Sequence, residues 1–366
     1  MNLLTKFKVA CINSINHSNI LLSVWWDLKP ASHTGRIEYT ESISPEMSIL
    51  ITGATGFIGR HLAGALSKTC SVRCLVRKNS DITTLRDLNV DIAYGDLLDK
   101  ESLGPALDEI DLVYHLAGEV YSRWKQDYYK GNVLATQNLL EACKEKGAQR
   151  IIFLSSVGVY KPVTTKTLLT EESECEPITF YGKTKLDAEG LIKKGDIPWV
   201  IVRAPIIYGP QQPPILNRFF LNGFNKRKIY IVGKGDNPRS YCFIGNLVDG
   251  LMLLAVKPGI NGETYILSDN SPYTFDEIIT TISALIDQKI KVVHLPNILG
   301  NISWQIYNLV GKLFNLYFIE LYAMKTMQLH WGCDITKAKK EIGYVPNVTL
   351  RMGIKSTMDW IKNNYT

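Results

Sequence analysis

From residue 48 onward, short runs of Val, Ile and Leu recur, each followed by a longer segment whose apolar positions fall three and four apart. The runs do not alternate apolar with polar residues, as expected of strands covered on both faces. Strands of this kind alternating with helices predict a parallel, doubly wound α/β sheet. Strands are expected at Ser48–Thr52, Val72–Val76, Asp91–Tyr94, Leu112–Leu116, Arg150–Ser155 and Trp199–Arg203. Helices are expected at Phe57–Lys68, through Leu103 and Leu107, at Tyr128–Lys146, and in a segment ending near Lys194. After Pro205 the pattern loosens. Pro210, Pro213 and Pro214 mark a loop, and Ile229–Val232, Glu263–Leu267 and Lys291–His294 read as short strands among helices. The expected division is residues 1–46, an extension with no assigned fold; residues 47–204, the main α/β domain; and residues 205–366, a smaller α/β lobe. That lobe is partly interleaved with the main sheet, to which Phe243–Val256 returns a helix. Ile302, Ile306, Leu309, Leu313 and Leu316 form an apolar stripe at helical spacing, near Trp304, Phe314 and Phe318. It reads as a buried lobe or dimer helix, with contact to a membrane surface as the alternative.

Length and composition narrow the picture modestly. At 366 residues the chain holds one large α/β domain with an appendage, and its 46% apolar and 21% charged residues are ordinary for a globular protein. The net charge of +6 is dispersed and no aromatic–basic strip accompanies it, so nucleic acid is not an expected partner. The seven cysteines are scattered; Cys70 and Cys74 have no second pair or nearby His, so no metal site is expected. A reduced cytoplasmic setting follows from that usage. Ile20–Trp26 is a short apolar run behind Lys6 and Lys8, but no small-residue cleavage site follows and Asp27 and Lys29 come at once. Met47 stands directly before the first strand.

Two motifs carry chemistry. Thr52-Gly-Ala-Thr-Gly-Phe-Ile-Gly59 lies between a strand and a helix. There Gly53 permits a tight turn, Gly56 lets backbone approach a pyrophosphate, and Gly59 lets helix pack on strand. Thr55, Phe57 and Ile58 complete the loop, and the helix N-terminus offers N–H groups to phosphate. A merely structural turn is the alternative. No acidic residue closes the next strand; Val76-Arg77-Lys78 does, and two cations there suit a 2′-phosphate. The expected cofactor is therefore NAD(P), with NADP preferred over NAD, and Arg60 is a further candidate for the same phosphate. Asp96, beside Leu97, follows the third strand and is placed either to accept from an adenine amino group or to cap a helix.

The second motif is Tyr181-Gly-Lys-Thr-Lys185. Residues four apart stand on one helical face, so a phenol and an ammonium are stacked. The cation is expected to favour the phenolate and to lower the tyrosine pKa from about 10 toward neutrality. Tyr181 then exchanges a proton while a nicotinamide exchanges hydride.

Taken in order, the glycine motif, Gly95-Asp-Leu97, His115-Leu-Ala-Gly118, Asn132, Ser155-Ser156, Tyr181-x-x-x-Lys185 and Arg203-Ala-Pro205 resemble the extended short-chain dehydrogenase/reductase superfamily. Cys74-Leu-Val-Arg-Lys78 and Phe243-Ile-Gly-Asn-Leu-Val248 look most like its 3β-hydroxysteroid dehydrogenase and dihydroflavonol reductase branch. The resemblance implies a Rossmann fold, with Tyr181 as acid/base and Ser156 (or Ser155, should the strand end earlier) polarising the substrate oxygen. It implies that Lys185 binds nicotinamide ribose and that Asn132 supports the lysine, unless Asn132 is only a helix-surface residue. Leu116, Ala117 and Gly118 would border the cofactor and Pro205 the nicotinamide amide. Pairing of helices 128–146 and 179–194 across a homodimer follows by the same analogy.

Relatives that dehydrate nucleotide sugars carry an acidic pair just after the catalytic Ser or Thr. Val157 and Gly158 stand there, so dehydratase or decarboxylase activity is not expected. The partner expected is a small molecule. Its candidate contacts are Tyr121 and Trp124, Tyr208 with Gln211 and Gln212, and Arg239 with Tyr241, beside Ser156. The aromatics favour a flat or apolar substrate, whereas Arg239 favours an anion. The leading expectation is an oxidoreductase acting on a secondary alcohol or ketone. A sugar-nucleotide epimerase and a non-catalytic nucleotide sensor are the alternatives.

Overall fold

In the computed structural model, residues 43–163, 165–214, 216 and 227–365 are described. The Ile20–Trp26 run lies outside them. The chain opens with β1 (Ser48–Thr52), α1 (Phe57–Leu66), β2 (Ser71–Val76), β3 (Asp91–Tyr94), a short α2 (Gly104–Leu107) and β4 (Leu112–His115). Next come α3 (Lys125–Tyr128), a π-helical stretch (Tyr129–Leu134), α4 (Ala135–Lys146), β5 (Arg150–Ser156), α5 (Phe180–Lys194) and β6 (Trp199–Ala204). The strands expected from the pattern are all present. The helix expected at 128–146 is broken by a π-turn that carries Asn132, whose amide is anchored outside the helix (below).

Seven parallel strands form one sheet in the order β10-β6-β5-β4-β1-β2-β3, where β10 is Glu263–Ile266. Strand order reverses between β1 and β4, and the crevice at their carboxyl ends is where such sheets bind ligands. Glu263–Ile266, expected in the smaller lobe, belongs to the main sheet, pairing in register with Val200–Arg203. It can sit there because α6 (Ile244–Val256), buried on nearly every side, packs across the sheet first. The Tyr114 hydroxyl donates to the Leu251 carbonyl at 2.7 Å, tying α6 to the centre of the sheet. On one face, Leu139 and Cys143 of α4 and Ala188 and Ile192 of α5 close over Val113, Phe153 and Ile201. Each such large apolar side chain contributes roughly 1.5–3 kcal/mol by leaving water.

The remaining elements are β7 (Ile206–Tyr208), β8 (Lys228–Val232), β9 (Tyr241–Phe243), α7 (Phe275–Ile286), β11 (Lys291–Leu295), α8 (Asn297–Phe314), α9 (Ile319–Thr326), α10 (Thr336–Ile342) and α11 (Leu350–Tyr365). They form two small parallel pairs, β7–β9 and β8–β11, among helices. The stripe on α8 is not buried. This helix buries Gly300, Ser303, Tyr307 and Gly311. It leaves Ile302 (47%), Ile306 (44%), Leu309 (57%) and Leu313 (61%) exposed.

Candidate active site

The glycine loop is shaped by sterics. Gly53 has a φ of +70°, and a β-carbon on it would lie 2.8 Å from the Ala117 nitrogen, so the β1 and β4 loops touch only because it is glycine. A β-carbon on Gly59 would overlap the Gly53 carbonyl oxygen and stand 2.7 Å from Ala54 Cα. Gly56 is the N-cap of α1 and is exposed; no side chain caps this helix end and no acid lies in its first turn. Backbone N–H groups at Phe57 and Ile58 are thus free of side-chain partners at the positive end of a helix dipole, a fit for a dinucleotide pyrophosphate. Arg60, a candidate for the 2′-phosphate, instead braces the loop, donating through Nε to the Gly56 carbonyl (3.1 Å) and through Nη2 to that of Thr55 (3.2 Å). Its nearness to those carbonyls follows from helical spacing, which lays residue 60 back over the preceding turn. Arg77 and Lys78 are exposed just past β2. The Asp96 Oδ1 accepts from the Leu98 N–H at 3.0 Å in a tight local turn rather than capping a helix, and the Leu97 carbonyl accepts from Asn138 at 2.8 Å.

On the other side of the crevice, β5 ends at Ser156, whose Oγ accepts from the Gly158 N–H at 3.0 Å. Thr179 caps α5 by accepting from the Gly182 N–H at 3.0 Å, and Tyr181 follows in the first turn. Gly182 allows the helix to press on the serine turn, since a β-carbon there would overlap the Gly158 carbonyl oxygen and lie 2.9 Å from Pro177 Cβ. The Ser156 hydroxyl and the Tyr181 ring both border Gly158: a β-carbon there would stand 3.3 Å from Ser156 Oγ and 3.9 Å from Tyr181 Cδ1 and Cε1. Ser155 is committed elsewhere: its Oγ donates to Glu189 Oε1 at 2.5 Å. Glu189 also holds Arg203 in a bidentate pair (3.0 and 2.6 Å), both side chains being almost fully buried. This pair clamps α5 to β6, and the sequence reading gave Glu189 no role.

Asn132 is held three ways. Its Oδ1 accepts from the Glu119 N–H (2.8 Å), and its Nδ2 donates to the Glu119 carbonyl (3.1 Å) and to Thr184 Oγ1 (3.0 Å). It is 1% exposed, so the helix-surface alternative does not hold. Gly118 passes directly over it, and a β-carbon there would meet Asn132 Oδ1 at 2.8 Å and Lys185 Nζ at 3.7 Å. Behind it, His115 joins Thr52 Oγ1 (2.8 Å) to Thr136 Oγ1 (2.9 Å), and Thr136 donates to the Asn132 carbonyl (2.6 Å). Burial brings the His115 pKa down to about 3, so this link is neutral.

The electrostatics correct one expectation. Tyr181 is pushed up to about 12 by loss of water, with the neighbouring Ser156 hydroxyl pulling the other way and Tyr121 and Tyr322 opposing ionisation. Lys185 is brought down to about 7, again by burial, with Glu189 opposing. Its Nζ sits over the Phe153 ring, 4.2 Å from the centroid. The two residues stand four apart on one helix, but the dry surroundings disfavour charge on both, and loss of water is the largest influence on each. Near pH 7 the phenol is neutral and the lysine stands at the midpoint of its titration.

Of the substrate-side candidates, Tyr121 (42%) and Trp124 (52%) are exposed. Tyr208 is not available to a ligand: it is 4% exposed, edge-on to Tyr241 and Phe243, with its hydroxyl on Asp269 Oδ2 at 3.2 Å. Its β7 neighbours pair with β9, which turns the side chain into the lobe core. Gln212 is buried in the same loop, its Oε1 accepting from the Gly209 N–H at 3.2 Å. Arg239 is buried and donates through Nη1 to the Thr326 carbonyl at 2.8 Å, while its Nε has no partner. The Arg239 charge favours ionisation of Tyr322 and Tyr241, and Tyr322 in turn opposes ionisation of Tyr181. Tyr322, on α9, was missed because nothing in local sequence spacing connects it to residue 181. Pro205 is buried between β6 and β7, and Leu116 and Ala117 follow β4 against the glycine loop. Among the described residues no group of three His, Cys, Asp or Glu is arranged for a metal.

The family model for the NAD dependent epimerase/dehydratase family matches residues 49–267. The chain is 32% identical over 343 residues to the uncharacterized protein y4nL of Sinorhizobium fredii, covering 86% of this chain and 95% of that one. It is 25% identical over 349 residues to the mouse sterol-4-alpha-carboxylate 3-dehydrogenase, decarboxylating, covering 87% of this chain and 92% of that one. Among solved structures, UDP-glucuronic acid 4-epimerase from Bacillus cereus in complex with NAD aligns with a TM-score of 0.71 at 27% identity, over 87% of this chain and all 100% of that one. The chain belongs to the NAD-dependent epimerase/dehydratase family of extended short-chain dehydrogenases/reductases and is a nicotinamide-dependent enzyme.

Proposed function

We propose that this enzyme transfers hydride between a nicotinamide dinucleotide and a secondary alcohol or ketone, with Tyr181 moving the proton. The observation that carries the reading is Tyr181 set beside Ser156 around Gly158 at the crevice, one helical turn from a buried Lys185. A dinucleotide bound there supplies the hydride carrier. Residues 53–59 would hold its pyrophosphate, Leu116, Ala117 and Gly118 its near edge, Lys185 its ribose hydroxyls, and Pro205 would border the amide. In the reductive direction the neutral Tyr181 hydroxyl delivers its proton to the substrate oxygen while Ser156 donates to that same oxygen. In the oxidative direction Tyr181 must first lose its proton, which loss of water around the phenol disfavours. Asn132 fixes the Glu119 backbone and the Thr184 turn between Tyr181 and Lys185, which orients the lysine. Tyr121, Trp124 and Arg239 line the substrate side. The exposed Arg77 and Lys78 favour NADP over NAD. The six described cysteines are free thiols, in keeping with a cytoplasmic enzyme.

A second reading, sugar-nucleotide epimerisation, is supported by the partnerless Arg239 Nε, a donor suited to a phosphate, and by the likeness to the NAD-bound epimerase structure. The two readings separate on the nucleotide that co-purifies, identified by mass spectrometry. NADP or an empty site is expected of a reductase that exchanges its cofactor every turnover. Stoichiometric retained NAD would overturn that reading and support the epimerase.

A further inference from the structure

Helix α8 presents its faces the wrong way round for a helix whose only role is to pack on its own chain. Its inward face is small, Gly300, Ser303 and Gly311 with Tyr307. A β-carbon on Gly300 would crowd the Gln328 amide and one on Gly311 would lie 3.0 Å from the Tyr317 ring, so close seating needs those glycines. Its outward face is Ile298 (58%), Ile302, Ile306, Leu309 and Leu313, a continuous row along a helix about 27 Å long. An apolar row of this length left in water marks an interaction surface.

The chemistry around the row says what covers it. From Gln288 to Ile319 there is no Asp or Glu, while Lys289, Lys291 and Lys312 fall within the segment. At the C-terminal end of the helix two more cations, Arg123 and Lys125, are exposed. Their rings of contact are aromatic: Arg123 lies 5.4 Å from the Phe318 centroid and Lys125 4.8 Å from that of Phe180. Trp124, half exposed beside them, pairs with Leu316. Exposed aliphatic rows flanked by cations and an amphipathic indole match an anionic lipid interface, where apolar side chains enter the acyl boundary and Lys, Arg and Trp stay at the headgroups. No described helix is long and apolar enough to cross a membrane, so α8 would lie on the surface.

The row is also continuous with the active site. The Lys125 N–H donates to the Asn315 carbonyl (3.2 Å) and the Tyr317 N–H to that of Arg123 (2.8 Å), joining α8 to the 119–128 loop. Tyr317 stacks on Phe180 at 5.6 Å, one residue before Tyr181. We propose that α8 is an in-plane docking helix for an anionic bilayer surface, which sets the mouth of the crevice at Tyr121 and Trp124 against the lipid. This does not depend on which reaction the site performs.

The test is co-sedimentation of the full chain with vesicles of phosphatidylcholine, with and without phosphatidylglycerol. Binding to the anionic vesicles, weakened by salt, is expected. The triple variant Ile302→Gln, Leu309→Gln, Leu313→Gln changes only exposed positions and should lower partitioning at least about tenfold with dinucleotide binding unchanged. Lys312→Glu, a milder change, should weaken binding to anionic vesicles while sparing the fold. The proposal is overturned if the wild-type chain stays in the supernatant, or if the triple variant partitions as the wild type does. It is equally overturned if light scattering shows a vesicle-independent dimer that the triple variant dissolves, since the row is then a contact between two copies.

Discussion

Burial of Lys185 has a consequence that can be measured. A lysine brought from its ordinary range to about 7 in the folded chain makes unfolding proton-linked. Between pH 7 and the ordinary lysine range the unfolded chain binds a proton that the native chain does not, so stability rises with pH across that window. Below pH 7 both states are protonated and the penalty of a buried ammonium is felt in full. The expected slope is up to ~1.4 kcal/mol per pH unit. Denaturant melts of the nucleotide-free protein at pH 7, 8 and 9 should show it, and Lys185→Met should remove it. A flat profile in the wild type would mean that Lys185 keeps its charge. None of this could be read from the spacing of Tyr181 and Lys185, which gives their adjacency but not the absence of water around them.

At the scale of elements, α5 is positioned by two devices. One is the glycine pair Gly158 and Gly182, which lets the helix start against the serine turn. The other is the buried Glu189–Arg203 pair, with Ser155 completing the carboxylate's contacts. Removing one member of such a pair leaves an uncompensated buried charge, at a cost of about 3–5 kcal/mol. Glu189→Gln should therefore lower thermal stability markedly, and Glu189→Gln with Arg203→Met should recover much of it. A single variant as stable as the wild type would show that the pair is not load-carrying in solution. The glycine loop makes a different prediction. Gly59→Ala forces a β-carbon against the Gly53 carbonyl and should reduce dinucleotide affinity together with stability, read by titration calorimetry and melting. Affinity unaffected by Gly59→Ala would show that helix–strand contact does not shape the phosphate site. These glycines were legible beforehand because their reasons are local and steric. The Glu189–Arg203 pair was not, since its members lie on different elements that only the folded sheet brings together.

For the whole molecule, the alternation of strand and helix gave the doubly wound sheet and the place of its crevice. Two features needed the tertiary structure. Glu263–Ile266 joins the main sheet across a long insertion, and short apolar strands carry no mark of their partner. The α8 row has the periodicity of any amphipathic helix, and periodicity fixes which residues share a face, not whether that face meets protein or solvent. Tyr208 failed as a substrate contact for the same reason: an aromatic after a sheet strand can turn either way, and pairing of β7 with β9 turned this one inward.

The central claim is that Tyr181 carries the proton that accompanies hydride transfer. Its most direct test is single-turnover oxidation of bound NADPH or NADH by a panel of steroid-, flavonoid- and sugar-like ketones, comparing wild type with Tyr181→Phe. With cofactor affinity unchanged, the variant should lose at least about a hundredfold in rate. A phenylalanine variant that transfers hydride as fast as the wild type would contradict the account.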